Sequence, residues 1–119
     1  MESRVRTALL YDFYGSLLTK RQQGFMELYF GEDLSLGEIA REFGVSRQAV
    51  YDIINRAEAA LKGYEQRLKL LKNFFEEEKQ RQQLKDLVCK LQESGLTSEQ
   101  KKITAEVMSI LKALGPEGD

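Results

Sequence analysis

LGEIAREFGVSRQAVYDIIN, residues 36–55, is the stretch that decides the fold. Ser35 stands just before it and Glu38 three residues later. That is the capping-box spacing, in which a hydroxyl and a carboxylate each satisfy a free backbone N–H at a helix start. Leu34 and Ile39 are placed for the hydrophobic staple that accompanies such a start. A short helix over Leu36 to Phe43 is predicted, and Gly44, which tolerates positive φ, supplies a tight turn. Ser46 then caps a second helix expected to run to about Lys62. Two helices joined in this way need small or apolar groups where they cross, a residue free to bend between them, and polar groups on the outer face of the second. Ile39, Ala40, Phe43, Val45, Val50 and Ile53 supply the crossing, with Ala40 at its closest point, and Gly44 supplies the bend.

The third requirement is met by angle. At about 100° per residue, Val50, Ile53, Ile54, Ala57 and Leu61 share one arc of roughly 100°, which is a core face. Arg47, Gln48, Tyr51, Asp52 and Asn55 share a separate arc of about 140°, the surface that would face a major groove. Arginine can hold guanine through two acceptors, and glutamine or asparagine can pair with adenine. Arg56 and Lys62 suit phosphate contacts, which position without specifying sequence. Arg47, Gln48, Tyr51, Asp52, Asn55 and Arg56 are therefore the candidate nucleic-acid contacts. The alternative is that this arc is a solvated helix face on a scaffold used for protein contacts. Asp52 would repel phosphate, and residues 1–62 carry eight basic groups against nine acidic ones, so no basic stripe is present.

Outward from this centre, helices are expected on both sides. Val5, Ala8, Leu9 and Phe13 fall at helical spacing ahead of Gly15, read as a C-cap. Thr19 and Gln22 form another capping box before an apolar run that ends at Gly31. Tyr11, Phe13, Tyr14, Tyr29 and Phe30 could stack on bases, but at helical spacing they read better as core. Gly63 is expected to break or kink the chain, since a glycine inside a helix costs about 1 kcal/mol relative to alanine. One long helix is then predicted from Tyr64 to Ser94, with Glu77 and Arg81 paired in its polar middle. Gly95 closes it, and Thr97 with Gln100 caps a final amphipathic helix that folds back on its neighbour. The tail from Gly115 to Asp119 is expected to fray. Leu68, Leu71, Phe75, Leu84 and Leu91 could form the seam of a homodimer. The expected architecture is all-α: a helix-turn-helix domain over residues 1–63 and a helical extension over residues 64–119, serving as a packing or dimerisation arm.

Composition narrows the function. The 119 residues contain no histidine, which removes Ser-His-Asp and Cys-His catalysis and nearly every zinc pattern. A single cysteine, Cys89, can form no internal disulfide and is expected to be a packed thiol. No catalytic group, metal or cofactor is expected, and the chain is read as non-enzymatic. No run of about 18 apolar residues could span a bilayer, and the N-terminus lacks a basic-then-apolar leader, so a cytoplasmic protein without membrane insertion is expected.

From Leu18 to Leu61 the chain resembles the fourth conserved region of bacterial sigma factors, through Leu36-Gly37-Glu38-Ile39-Ala40 and Val45-Ser46-Arg47-Gln48-Ala49-Val50. The closer resemblance is to the YlxM family. It is carried by Asp12-Phe13-Tyr14-Gly15-Ser16-Leu17-Leu18-Thr19, by Ser46-Arg47-Gln48-Ala49-Val50-Tyr51-Asp52, and by Tyr64-Glu65. The first resemblance implies a helix-turn-helix of the sigma region-4 kind whose second helix reads DNA. The second implies a regulator linked to the signal recognition particle, because that family's genes lie beside those for the particle's GTPase and its receptor. Two functions stay open: a DNA-binding regulator, or an adaptor that acts on the particle's GTPase or its RNA without binding DNA.

Overall fold

The computed structural model describes residues 3–115, which form six helices with no strand among them. The all-α helix-turn-helix architecture is thereby met. The chain divides into two compact units, residues 1–72 and 73–119.

In the N-terminal unit, α1 (Ser3–Tyr14) leads through a 3-10 turn (Gly15–Leu17) to α2 (Lys20–Met26), which continues as a π-helical turn (Glu27–Gly31). α1 buries Thr7, Leu10 and Tyr14, a face turned one position from the Val5, Ala8, Leu9 and Phe13 stripe; Val5 is exposed. Thr7 can lie inside because its hydroxyl donates to the Ser3 carbonyl at 3.0 Å. Gly15 is not a left-handed cap. It lies buried under the Tyr11 ring, where a Cβ would come within 2.9 Å of ring carbons. The glycine is needed there for close approach.

α2 starts on its predicted capping box: Gln22 N–H donates to the Thr19 hydroxyl, and Thr19 N–H to the Gln22 carboxamide, each at 3.1 Å. The π-helical turn displaces the carbonyl ladder at Tyr29. Arg4 uses the opening. Its guanidinium donates to the Tyr29 carbonyl at 2.5 Å and to Asp33 at 2.9 Å, and lies over the Tyr29 and Phe30 rings at 4.9 and 4.8 Å.

α3 (Leu36–Phe43) and α4 (Arg47–Leu68) complete the unit. Its core joins Leu10, Tyr14, Phe25 and Met26 to Ile39, Val50, Ile54, Ala57 and Leu61. Tyr14 is fully buried, and Tyr11, Phe13, Tyr29 and Phe30 pack against that core, as the core reading of the aromatics expects.

α4 corrects the expected break at Gly63. It continues unbroken through that glycine and stops at Lys69, a left-handed residue with φ of 56°. α5 (Leu70–Gln92) begins there because Glu65 supplies the partners its first turn needs. One Glu65 oxygen accepts from Leu71 N–H at 3.0 Å and from the Tyr14 hydroxyl at 2.6 Å, and the other from Lys72 N–H at 3.1 Å. The Tyr14 oxygen in turn accepts from Leu70 N–H at 3.0 Å. These tertiary bonds outweigh the roughly 1 kcal/mol propensity cost at Gly63.

The C-terminal unit is a helical hairpin made by the remainder of α5 and by α6 (Ser98–Ala113). Gly95, with φ of 84°, makes the bend, and the Thr97–Gln100 capping box starts α6 as predicted. The two helices run antiparallel: Arg81 donates to the Leu114 carbonyl at 3.1 Å, while Leu91 and Ile103 line one cleft at the other end. Arg81 pairs with Glu78, one turn back, instead of the predicted Glu77. Glu78 shares with Arg81 the row turned to α6, and Glu77 is exposed. Cys89 is also exposed, off that row, which overturns the packed-thiol expectation. Of the tail expected to fray, Gly115 to Asp119, residues 116–119 lie outside the described residues.

Candidate nucleic-acid interface

The interface is built from two local devices. At the start of α3, Glu38 N–H donates to the Ser35 hydroxyl and Ser35 N–H to the Glu38 carboxylate, each at 3.1 Å. The Ser35 backbone and hydroxyl hold the Glu38 carboxyl below its usual range. At its end, Gly44 takes the left-handed conformation, φ 66° and ψ 35°, and Val45 N–H closes the turn on the Ala40 carbonyl at 3.0 Å. α4 then starts on Ser46, whose extended backbone and hydroxyl, accepting from Ala49 N–H at 3.0 Å, fix the direction in which it leaves.

Ile39 and Val50 are fully buried at the crossing and Ala40 nearly so, while Val45 and Ile53 are half-buried against the core. Phe43 differs from the inward position expected of it. It remains 47% exposed, with its ring edge on Phe25 at a centroid distance of 4.6 Å. Gly44 lies at the surface, as a tight turn requires.

Arg47, Gln48, Tyr51, Asp52, Asn55 and Arg56 are all exposed. Arg47, Gln48 and Tyr51 line an open depression of about 420 Å³ with Leu36 of α3. The Arg47 side chain reaches back over α3, so that a Cβ at Gly37 would touch its Cδ at 3.8 Å. The Gln48 amide donates to Asp52 at 3.0 Å, one helical turn on. This pairing engages the carboxylate that sequence reasoning set against phosphate, and leaves Gln48 its carbonyl oxygen and one N–H. An i, i+4 Gln–Asp pair was readable from spacing. Leu36 was missed because its apolar side chain gave no chemical signal. Chemically, the face offers a guanidinium, a carboxamide, a phenol and Asn55 along the first three turns of one helix, the groups that read base edges in a groove.

A short helix and a longer one that pack across Ala40, turn at Gly44 and present a polar face on the second define a helix-turn-helix protein. Residues 1–105 match the family model described as "Putative helix-turn-helix protein, YlxM / p13 like", UPF0122. UPF0122 proteins of Bacillus cereus strain AH187, Bacillus anthracis strain A0248 and Bacillus thuringiensis subsp. konkukian strain 97-27 are each 48% identical to the chain over 114 residues, 96% of either sequence. The chain belongs to the UPF0122 family, and the resemblance drawn from its motifs is met. Membership of a helix-turn-helix family supports a nucleic-acid-binding role for the protein. No described helix is long and apolar enough to cross a membrane.

Proposed function

We propose that the protein is a non-enzymatic, cytoplasmic DNA-binding regulator that reads the major groove with Arg47, Gln48, Tyr51 and Asn55, with Asp52 orienting Gln48 and Arg56 on phosphate. The observation that carries this reading is the exposed polar face of α4 beside the Ser46 cap. The likeness of residues 18–61 to sigma region 4 supports the same docking mode. As a homodimer the protein would offer two such helices to a two-part site. The residue 1–63 segment is the reading part of this scheme and the extension the assembling part.

Fluorescence anisotropy with labelled genomic fragments tests it. Arg47→Ala should weaken binding by about 1–3 kcal/mol and relax preference at one base pair. Equal binding by both proteins, without salt dependence, would contradict the proposal.

A second reading has its own support. The near-neutral N-terminal half and the exposed apolar residues of α5 and α6 suit an adaptor in the signal recognition particle pathway, acting on the particle's GTPase or its RNA. Co-purification of either with the full chain, undiminished by Arg47→Ala, would favour it over the regulator.

A further inference from the structure

The C-terminal hairpin leaves most of its large apolar groups in solvent. On α5, Leu84, Leu87 and Leu91 are exposed; on α6 and its C-cap, Ile103, Val107, Ile110 and Leu114 are exposed, and the seven range from 40% to 65%. What α5 turns toward α6 is a different row: Arg81, Lys85, Val88 and Gln92, all half-buried. On α6 the facing row is Thr104, Met108 and Leu111.

At about 100° per residue, the exposed stripe on each helix is centred roughly 90° from its facing row, in the same rotational sense on both. In an antiparallel pair, equal offsets of one sense fall on the same side. The seven residues therefore form one continuous apolar face along the hairpin. Two open clefts between the helices mark it: Leu84 and Leu114 line one of about 280 Å³, and Leu91 and Ile103 line the other, of about 180 Å³.

The spacing specifies the shape of the occupant. Leu84, Leu87 and Leu91 step by 3 and 4, and Ile103, Val107, Ile110 and Leu114 step by 4, 3 and 4. Alternation of three and four is the 3.5-residue repeat of a seam that packs against other helices at a shallow angle. A two-helix layer with one apolar face needs a second layer to cover it, and two such hairpins make a four-helix bundle.

The rim charges indicate that the second layer is another copy of this chain. Lys90 borders the stripe on α5, and Glu106 borders it on α6 near the same height, since Leu91 and Ile103 are neighbours across the hairpin. A two-fold axis along the hairpin lays α5 over the partner's α6 and sets Lys90 opposite Glu106 of the partner subunit, twice. The sides are self-complementary, as an isologous interface requires.

We propose that the protein dimerises through this face, with Leu87, Val107 and Ile110 at the centre of a four-helix bundle and Lys90 and Glu106 pairing across its rim. The proposal deepens the homodimer reading above by naming its surface, and does not depend on DNA being bound. It also corrects the seam expected from sequence: Leu71 is fully buried in the N-terminal core, and Phe75 points away from the Leu84 stripe by about 180°.

Light scattering on the full chain, over a dilution series, is the test. The expected mass is twice the 13.7 kDa of one chain. Leu87→Glu and Ile110→Glu, at positions that contribute little to the hairpin's own packing, should each give the single-chain mass with helicity by circular dichroism retained. Lys90→Glu alone should shift the dissociation midpoint to higher concentration by a few-fold, and Lys90→Glu with Glu106→Lys should restore it. The charge pair decides the matter if an apolar variant loses helicity. A wild-type chain of single mass throughout would overturn the proposal, even if it captured another protein or a vesicle through Leu87. So would a dimer indifferent to Leu87→Glu and to the charge exchange. A monomer that binds DNA defeats this inference alone, and a dimer that ignores DNA defeats the regulator alone.

Discussion

The carboxylate of Glu65 closes the start of α5 from five residues upstream, and the Tyr14 hydroxyl locks it there. Burial raises its pKa, but the hydrogen bonds donated by Tyr14, Leu71 and Lys72, helped by Arg6, outweigh burial and hold it below its ordinary 4.5. A carboxyl lowered in the folded state contributes stability above the unfolded value, and that contribution is lost as pH falls through the folded one. Glu65→Ala also strands the Leu71 N–H in the core, at a cost of about 1–3 kcal/mol. All five tyrosines lie between residues 11 and 64, so tyrosine fluorescence follows the N-terminal unit alone. Denaturant unfolding by that signal should show the loss at neutral pH. In acid, the wild-type advantage over Glu65→Ala should shrink, and parallel pH profiles would contradict this account. Tyr14→Phe, which removes one donor and one acceptor, should cost about 1–3 kcal/mol by the same measurement. An unchanged midpoint would contradict the role given to its hydroxyl.

At the scale of the element, what could be read in advance was what is local. Thr19, Ser35, Ser46 and Thr97 all cap the helices they were expected to cap, because each device is complete within four residues. Gly44 was readable for the same reason. The outer arc of α4 followed from helical angle, and its residues are exposed where the angle puts them. The helix break at Lys69 was not legible, since Tyr14 and Glu65, 51 positions apart, create it. The buried face of α1 centres on Thr7, Leu10 and Tyr14, one position from its apolar spacing, and was not legible there because a threonine satisfied by its own helix looks polar in sequence. Phe43 is expected inside from its apolarity, but it meets Phe25 in a T-shaped contact at the surface and stays about half in solvent. Ser46→Ala should remove the hydroxyl that accepts from Ala49 and lower the stability of the N-terminal unit by about 1 kcal/mol. Tyrosine-detected unfolding reads this directly, and an unaltered midpoint would mean that α4 does not depend on its cap.

For the molecule as a whole, the two units carry different chemistry. The N-terminal unit surrounds a dense apolar core and turns one polar helix face outward. The C-terminal unit has little core of its own and exposes a long apolar face. A protein that reads two half-sites needs both properties, one to contact the groove and one to hold two copies together. The absence of a basic stripe means that binding should rest on a few well-placed contacts, so its salt slope should be shallow for a DNA-binding protein.

The most direct test is a two-dimensional amide spectrum of the full chain titrated with duplex DNA recovered from genomic fragments. Resonances of Arg47, Gln48, Tyr51 and Asn55 should shift first and most, and added salt should reverse the shifts. If those four stay fixed while DNA is in excess, or if the shifts gather on α5 and α6, the reading of α4 as the recognition helix is contradicted.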